Sequence, residues 1–313
     1  MQDAPFHKEV AGGPENVRAV WIEAADGVKL RVAVWPAEAA RGTVLLFPGR
    51  TEYVEKYAEV AAVLGAAGLT TLAIDWRGQG LSDRLLPDRM PGHVGHFEEY
   101  QRDVAAFVAF ATAERLPKPW YLLAHSMGGV IGLRALVEGL PVERAAFSAP
   151  MWGISLGASL RPAAWGLSFA ARAVGFTDRY APGTSRGAYQ SDTPFESNLL
   201  THDEAQYARL AAQTTAHPDL ALGGPSLGWL GAALSECRRL ARLPSPATPT
   251  VTIVGTDERI VDTSGIRARM AEWPNGRLIL IEGGRHECLM ETPPRRALAL
   301  KAVLEHFGTS EAT

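Results

Sequence analysis

Leu122-Leu123-Ala124-His125-Ser126-Met127-Gly128-Gly129 leaves a chain few ways to fold. Pro119-Trp120-Tyr121 before it extends an apolar run that predicts a buried strand. Val130 to Gly139 after it reads as a helix, closed by Gly139 and Pro141. A strand that turns sharply into a helix, with Ser126 at the apex, predicts the geometry of a nucleophile elbow. So tight a turn needs small residues two before and two after the Ser. Ala124 and Gly128 meet that need, although Gly is usual at both places. Ser126 then lies at a helix N-terminus, where unpaired N–H groups and the positive dipole end favour a developing anion.

Pattern alone does not select Ser126. Gly153-Ile154-Ser155-Leu156-Gly157 fits G-x-S-x-G to the letter. Its context is wrong, because the strand Ala145 to Ser148 ends well before it and Pro150 intervenes.

Composition narrows the class. The chain has 313 residues, 47% of them apolar and 21% charged, which describes a soluble globular protein with a sizeable core. With a formal net charge of −3, no strong pull of the whole chain toward nucleic acid or anionic lipid is expected. Two cysteines, Cys237 and Cys288, make no disulfide framework and suit a reduced, cytoplasmic protein. The start of the chain is polar, unlike a signal peptide, and no apolar run is long enough to span a bilayer. No metal-ligand spacing or cofactor motif stands out.

Taken in order, residues 1–16 predict a loose arm. Val17 to Glu23 and Val28 to Trp35 predict a hairpin about Asp26-Gly27. Thr43 to Phe47 predicts a buried strand, Tyr53 to Ala67 a helix, Leu69 to Ile74 a strand, and Phe97 to Arg115 a long helix. Arg144 to Ser148 is the strand after the elbow helix. From Pro150 to about Ser245 the alternation stops, with helical patches at Pro162 to Val174 and Asp203 to Thr215. It resumes with strand Thr250 to Gly255, helix Ser264 to Trp273, strand Arg277 to Glu282 and helix Pro294 to Phe307. The rhythm predicts an α/β fold with a mostly parallel central sheet flanked by helices. Residues 1–149 and 246–313 form its two parts, and residues 150–245 are a helical cap inserted after the strand that follows the elbow.

A Ser nucleophile needs a base, an orienter for that base, and donors for the oxyanion. His286 follows the last strand, at the carboxyl edge where such sheets place their sites. His7, His93, His96, His125, His202, His217 and His306 are poorer candidates. His125 adjoins Ser126 and is expected to point away from the site. The strand Thr250 to Gly255 is followed by three carboxylates, Asp257, Glu258 and Asp262, and spacing alone does not choose among them. The oxyanion donors are expected to be the Met127 N–H and one from Pro48-Gly49-Arg50. Pro48 has no N–H, which favours Arg50.

These residues resemble the α/β-hydrolase superfamily, within it the monoacylglycerol lipase-like branch, and there the bacterial lysophospholipase L2 type. The resemblance is carried by Phe47-Pro48-Gly49-Arg50-Thr51-Glu52, Lys56-Tyr57-Ala58-Glu59, Asp75 to Ser82, Gly92-His93-Val94, Leu123 to Gly129 and Ser148 to Ile154. It continues through Leu200-Thr201-His202, Gly223 to Trp229 and Glu258 to Asp262. Most relatives carry His-Gly where this chain has Pro48-Gly49. The resemblance implies a serine hydrolase of single-chain lipid esters, lysophospholipids or monoacylglycerols. No cofactor is expected, and a short amphipathic cap helix would allow peripheral contact at the inner membrane. In the branch's pattern the acid stands two residues before an apolar pair, here Ile260-Val261. That implies Glu258, with Asp257 as the alternative and Asp262 as a helix cap.

Trp152, Trp165, Phe169, Phe176 and Trp229 are expected to line an acyl tunnel or to form the cap's own core, with Trp152 and Trp229 as substrate contacts. Dehalogenase and epoxide hydrolase chemistry is disfavoured, since those enzymes place Asp at the elbow. Short-chain esterase, thioesterase, peptidase and perhydrolase activities use the same three residues. A silent binding protein on the same fold is the alternative of another class.

Overall fold

The computed structural model describes residues 2–155 and 160–309. In chain order its regular elements are β1 (Gln2–Asp3), α1 (Lys8–Ala11), β2 (Arg18–Glu23), β3 (Lys29–Trp35), β4 (Thr43–Phe47), α2 (Ala58–Ala66), β5 (Thr70–Asp75), α3 (Glu99–Ala113), β6 (Trp120–His125), α4 (Met127–Val137) and β7 (Arg144–Ser148). Then follow α5 (Leu160–Val174), α6 (Tyr189–Asp192), α7 (Glu204–Ala216), α8 (Leu227–Leu240), β8 (Thr250–Gly255), α9 (Thr263–Ala271), β9 (Gly276–Ile281) and α10 (Pro293–Phe307).

The nine strands among the described residues form one sheet in the order β1-β2-β3-β5-β4-β6-β7-β8-β9. The edge from β1 to β5 is antiparallel, and every pairing from β5 to β9 is parallel. Strand periodicity sorts the core. Leu45, Phe47, Leu122 and Ala124 enter one apolar cluster with α3, α4, α8 and α9, while Val44, Leu46, Tyr121 and Leu123 enter the other with α2 and α10. Runs buried on both faces read as continuous apolar sequence, which is why β4, β6 and β8 were visible in it.

The expected loose arm is a correction. Gln2–Asp3 adds a strand beside β2, and His7 and Glu9 contact His217 at the end of α7. The partners lie far along the chain, beyond the reach of local pattern. The expected helix from Tyr53 begins as a 3₁₀ turn, Val54–Tyr57, before α2. Between β7 and β8 run α5 to α8. Of these, the short α6 and the long α8 have no counterpart among the expected helical patches. Ser226 caps α8 by accepting the Trp229 N–H, and Trp229, Ala233 and Cys237 of α8 join Val130 and Leu133 of α4 in the core.

Candidate active site

Ser126 stands between β6 and α4 with φ 49° and ψ −115°, a backbone conformation that L residues rarely adopt. Such strain costs about 1–3 kcal/mol and persists only where the surroundings over-determine it. Here they do. The Ser126 N–H donates to the Ser148 carbonyl at 3.1 Å, and the Ser126 carbonyl accepts from Gly129 and Met151, each at 2.8 Å. Gly128 lets α4 rest on the end of β4: a Cβ there would collide with the Phe47 carbonyl oxygen and lie 2.6 Å from that of Pro48. A side chain at that position would force the two loops apart.

The loops after β8 and β9 approach as closely. The Thr256 N–H donates to Ile281 at 3.0 Å and the Asp257 N–H to Gly284 at 2.9 Å, and a Cβ on Gly255 would collide with the Gly284 carbonyl. This contact turns Glu258 inward. Its Oε2 lies 2.7 Å from His286 Nδ1, and His286 Nε2 lies 2.9 Å from Ser126 Oγ. The remaining oxygen, Oε1, accepts the N–H groups of Ile260 at 2.6 Å and Val261 at 3.1 Å. The apolar pair used to count back to Glu258 thus supplies donors that hold its carboxylate. Burial alone would raise the Glu258 carboxyl. The His286 ring and the two backbone donors outweigh it and bring the group below its usual range.

The structure leaves the other acids elsewhere. Asp257 is exposed, and Asp262 caps α9 by accepting from Ser264 and Gly265. Ser155 is exposed and its N–H pairs with Ile260. Gly157 of that second pattern lies outside the described residues. Among the described residues the N–H groups of Met127 and Arg50 have no hydrogen-bond acceptor. The Arg50 side chain packs on Trp229, its guanidinium carbon 5.3 Å from the ring centre, and donates to Gly223.

Trp152 is buried. It stacks on Trp273 at 5.7 Å, meets Phe147 edge-on at 5.1 Å and donates to the Gly129 carbonyl. Trp229 packs on Phe97. The expectation for Phe169 and Phe176 is corrected: they are 78% and 54% exposed, so they line no enclosed tunnel. For Phe169 the reason lies in how α5 meets α8, with Ser168 against Gly231 and Ala171 beside Leu227, which turns the opposite face outward, and Phe176 lies beyond the end of the helix.

Two groups of His and carboxylate side chains among the described residues come close enough for a metal, His7–Glu9–His217 and Glu52–His125–Glu287. In the first, the imidazoles stack 3.5 Å apart with planes 16° from parallel, so their in-plane lone pairs do not converge. In the second, Lys56 Nζ already bridges both carboxylates. Sequence reading missed this buried Glu52–Lys56–Glu287 cluster, since nothing local distinguishes buried charges from exposed ones.

A family model described as serine aminopeptidase, S33 matches residues 38–293. The chain belongs to this family. Among its relatives, lysophospholipase L2 of Escherichia coli strain K12 is 36% identical over 296 residues, covering 90% of this chain and 85% of that one. A monoacylglycerol lipase of Mycolicibacterium smegmatis is 27% identical, covering 77% and 79%. A soluble variant of monoglyceride lipase from Saccharomyces cerevisiae, solved with a substrate analog, superposes with a TM-score of 0.72 at 21% identity, over 96% of this chain and 97% of that one. The fold is the α/β-hydrolase fold.

Proposed function

We propose that this chain hydrolyses the ester bond of a single-chain lipid, a lysophospholipid or a monoacylglycerol, through an acyl-enzyme on Ser126. That it is a serine ester hydrolase rests on its family and on its lysophospholipase and monoacylglycerol lipase relatives. The residue roles rest on one observation, the hydrogen-bonded line from Ser126 Oγ through His286 to Glu258.

The chemistry follows from donor and acceptor capacity. An ionised Glu258 only accepts, so the His286 proton resides on Nδ1 and Nε2 is left to accept from the Ser126 hydroxyl. Ser126 Oγ attacks the ester carbonyl carbon as its proton passes to His286 Nε2. The tetrahedral oxyanion takes the N–H groups of Met127 and Arg50, a donor of this kind contributing about 10²–10³ in rate. His286 returns the proton to the departing alcohol oxygen. Water, deprotonated by His286, then attacks the acyl carbon and frees the fatty acid and Ser126.

In this reading residues 150–245 form a cap over the core of residues 1–149 and 246–313. Hydrogen bonds from Glu287 to Leu200 and from Gly92 to Gly224 tie it to loops beside the site. No helix among the described residues is long and apolar enough to cross a membrane. Phe169, Val174 and Phe176, exposed on and just beyond α5 with Arg172 and Arg179 nearby, suit peripheral contact with an anionic lipid surface.

The test is a hydrolysis panel of lysophosphatidylcholine, a monoacylglycerol, p-nitrophenyl butyrate, a triacylglycerol emulsion and an aminoacyl amide. Highest kcat/KM on one of the first two is expected. Faster turnover of the triacylglycerol or the amide would overturn the substrate assignment.

A further inference from the structure

Four ionisable side chains meet behind Ser126, and the reaction described above gives none of them a part. Glu52 lies in the loop after β4, Lys56 in the 3₁₀ turn that follows, His125 at the end of β6, and Glu287 directly after His286. All four are buried. Lys56 Nζ donates to Glu52 Oε1 at 2.5 Å and to Glu287 Oε1 at 2.6 Å. The other Glu52 oxygen accepts the Tyr57 hydroxyl and the Gly49 N–H.

His125 Nδ1 is 3.0 Å from the Ser148 carbonyl, and its Nε2 faces Glu287 Oε2 at 3.4 Å and Glu52 Oε1 at 3.5 Å. The carbonyl only accepts, so Nδ1 carries a proton, while Nε2 faces the two carboxylates without hydrogen-bonding to either. Lys56 thus bridges two carboxylates that also face the His125 ring. Burial works against the charge on His125 and on Lys56, and the facing carboxylates reverse it for both.

Buried ion pairs are weak stabilisers, since desolvation offsets their attraction. The placement of these four points to another role. Glu52 holds the loop that carries the Gly49 and Arg50 N–H groups, Glu287 adjoins His286, and His125 adjoins Ser126. A lysine presents a point charge with three donors on a flexible stem, so it can join carboxylates from separate loops. We propose that Lys56 is a positioning residue: by clamping Glu52 to Glu287 it sets how far the Arg50 N–H and His286 stand from each other across Ser126. This inference rests on the roles assigned above to Ser126, His286 and the Arg50 N–H.

The experiment compares Lys56→Met with the charge-compensated Lys56→Met/Glu287→Gln. It measures kcat and KM on p-nitrophenyl butyrate, the rate of labelling by a fluorophosphonate, and the thermal midpoint. The single change strands a buried negative charge and lowers both midpoint and kcat. The double change restores the midpoint but leaves kcat down by about 10²-fold at unchanged KM, the size of effect expected when reacting groups shift by an ångström. Labelling slows in parallel. Wild-type kcat in either variant overturns the positioning role, because a merely structural clamp recovers activity together with stability. Ser126→Ala, assayed beside them, separates the two readings. Hydrolysis that survives it refutes the assigned chemistry, whereas an inactive Ser126→Ala beside a fully active double variant refutes the positioning role alone.

Discussion

Glu258 Oε2 lies 2.7 Å from His286 Nδ1, although 28 residues of chain separate the two. The other Glu258 oxygen is held by two backbone N–H groups, so the carboxylate has little freedom to turn away. Glu258→Gln keeps the shape and removes the charge that, in the proposed mechanism, stabilises the His286 cation. It is expected to lower kcat by up to about 10⁴-fold. Asp257→Asn, at an exposed position, is expected to keep wild-type kcat. The reverse ranking would transfer the role to Asp257.

In the proposed mechanism Ser126 and His286 act on one proton, so their removal is expected not to be additive. Ser126→Ala, His286→Ala and the double variant are expected to lose similar activity. Ser126→Ala is also expected to abolish fluorophosphonate labelling, and Ser155→Ala to leave it intact. Additive losses, or labelling that depends on Ser155, would refute the assignment.

Stability follows pH through Glu258, whose side chain is fully buried. Its folded carboxyl titrates below the usual range, against about 4.3 in the unfolded chain. A depressed folded value contributes stability that is present above the unfolded value and is lost as pH falls through the folded one. In urea titrations, the advantage of wild type over Glu258→Gln should therefore be constant at neutral pH and shrink below about pH 4. A difference that does not change between neutral and strongly acid pH would contradict this.

Phe169 and Phe176 point outward, so replacing them leaves the site intact. Phe169→Ser/Phe176→Ser is expected to weaken binding to phosphatidylglycerol vesicles by at least about tenfold, as loss of two buried phenyl groups requires. Hydrolysis of p-nitrophenyl butyrate should stay unchanged. Equal vesicle binding by the variant and wild type would remove this surface from the membrane reading.

What the sequence determined on its own is what short-range chemistry expresses. Apolar runs mark β4, β6 and β8 because strands buried on both faces need them. Ala124, Ser126 and Gly128 mark the turn because its backbone leaves no room for larger side chains. Family resemblance then extended that reading to Glu258, where spacing alone left three acids open. Tertiary structure decided what depends on residues distant in sequence. Gly255 against Gly284 brings Glu258 to His286, and Ser168 against Gly231 turns Phe169 outward. The Gln2–Asp3 strand forms only where β2 offers it an edge. Buried charge was least legible of all. Glu52, Lys56 and Glu287 have the composition of an ordinary solvated surface, and only the packing of three separate loops encloses them together.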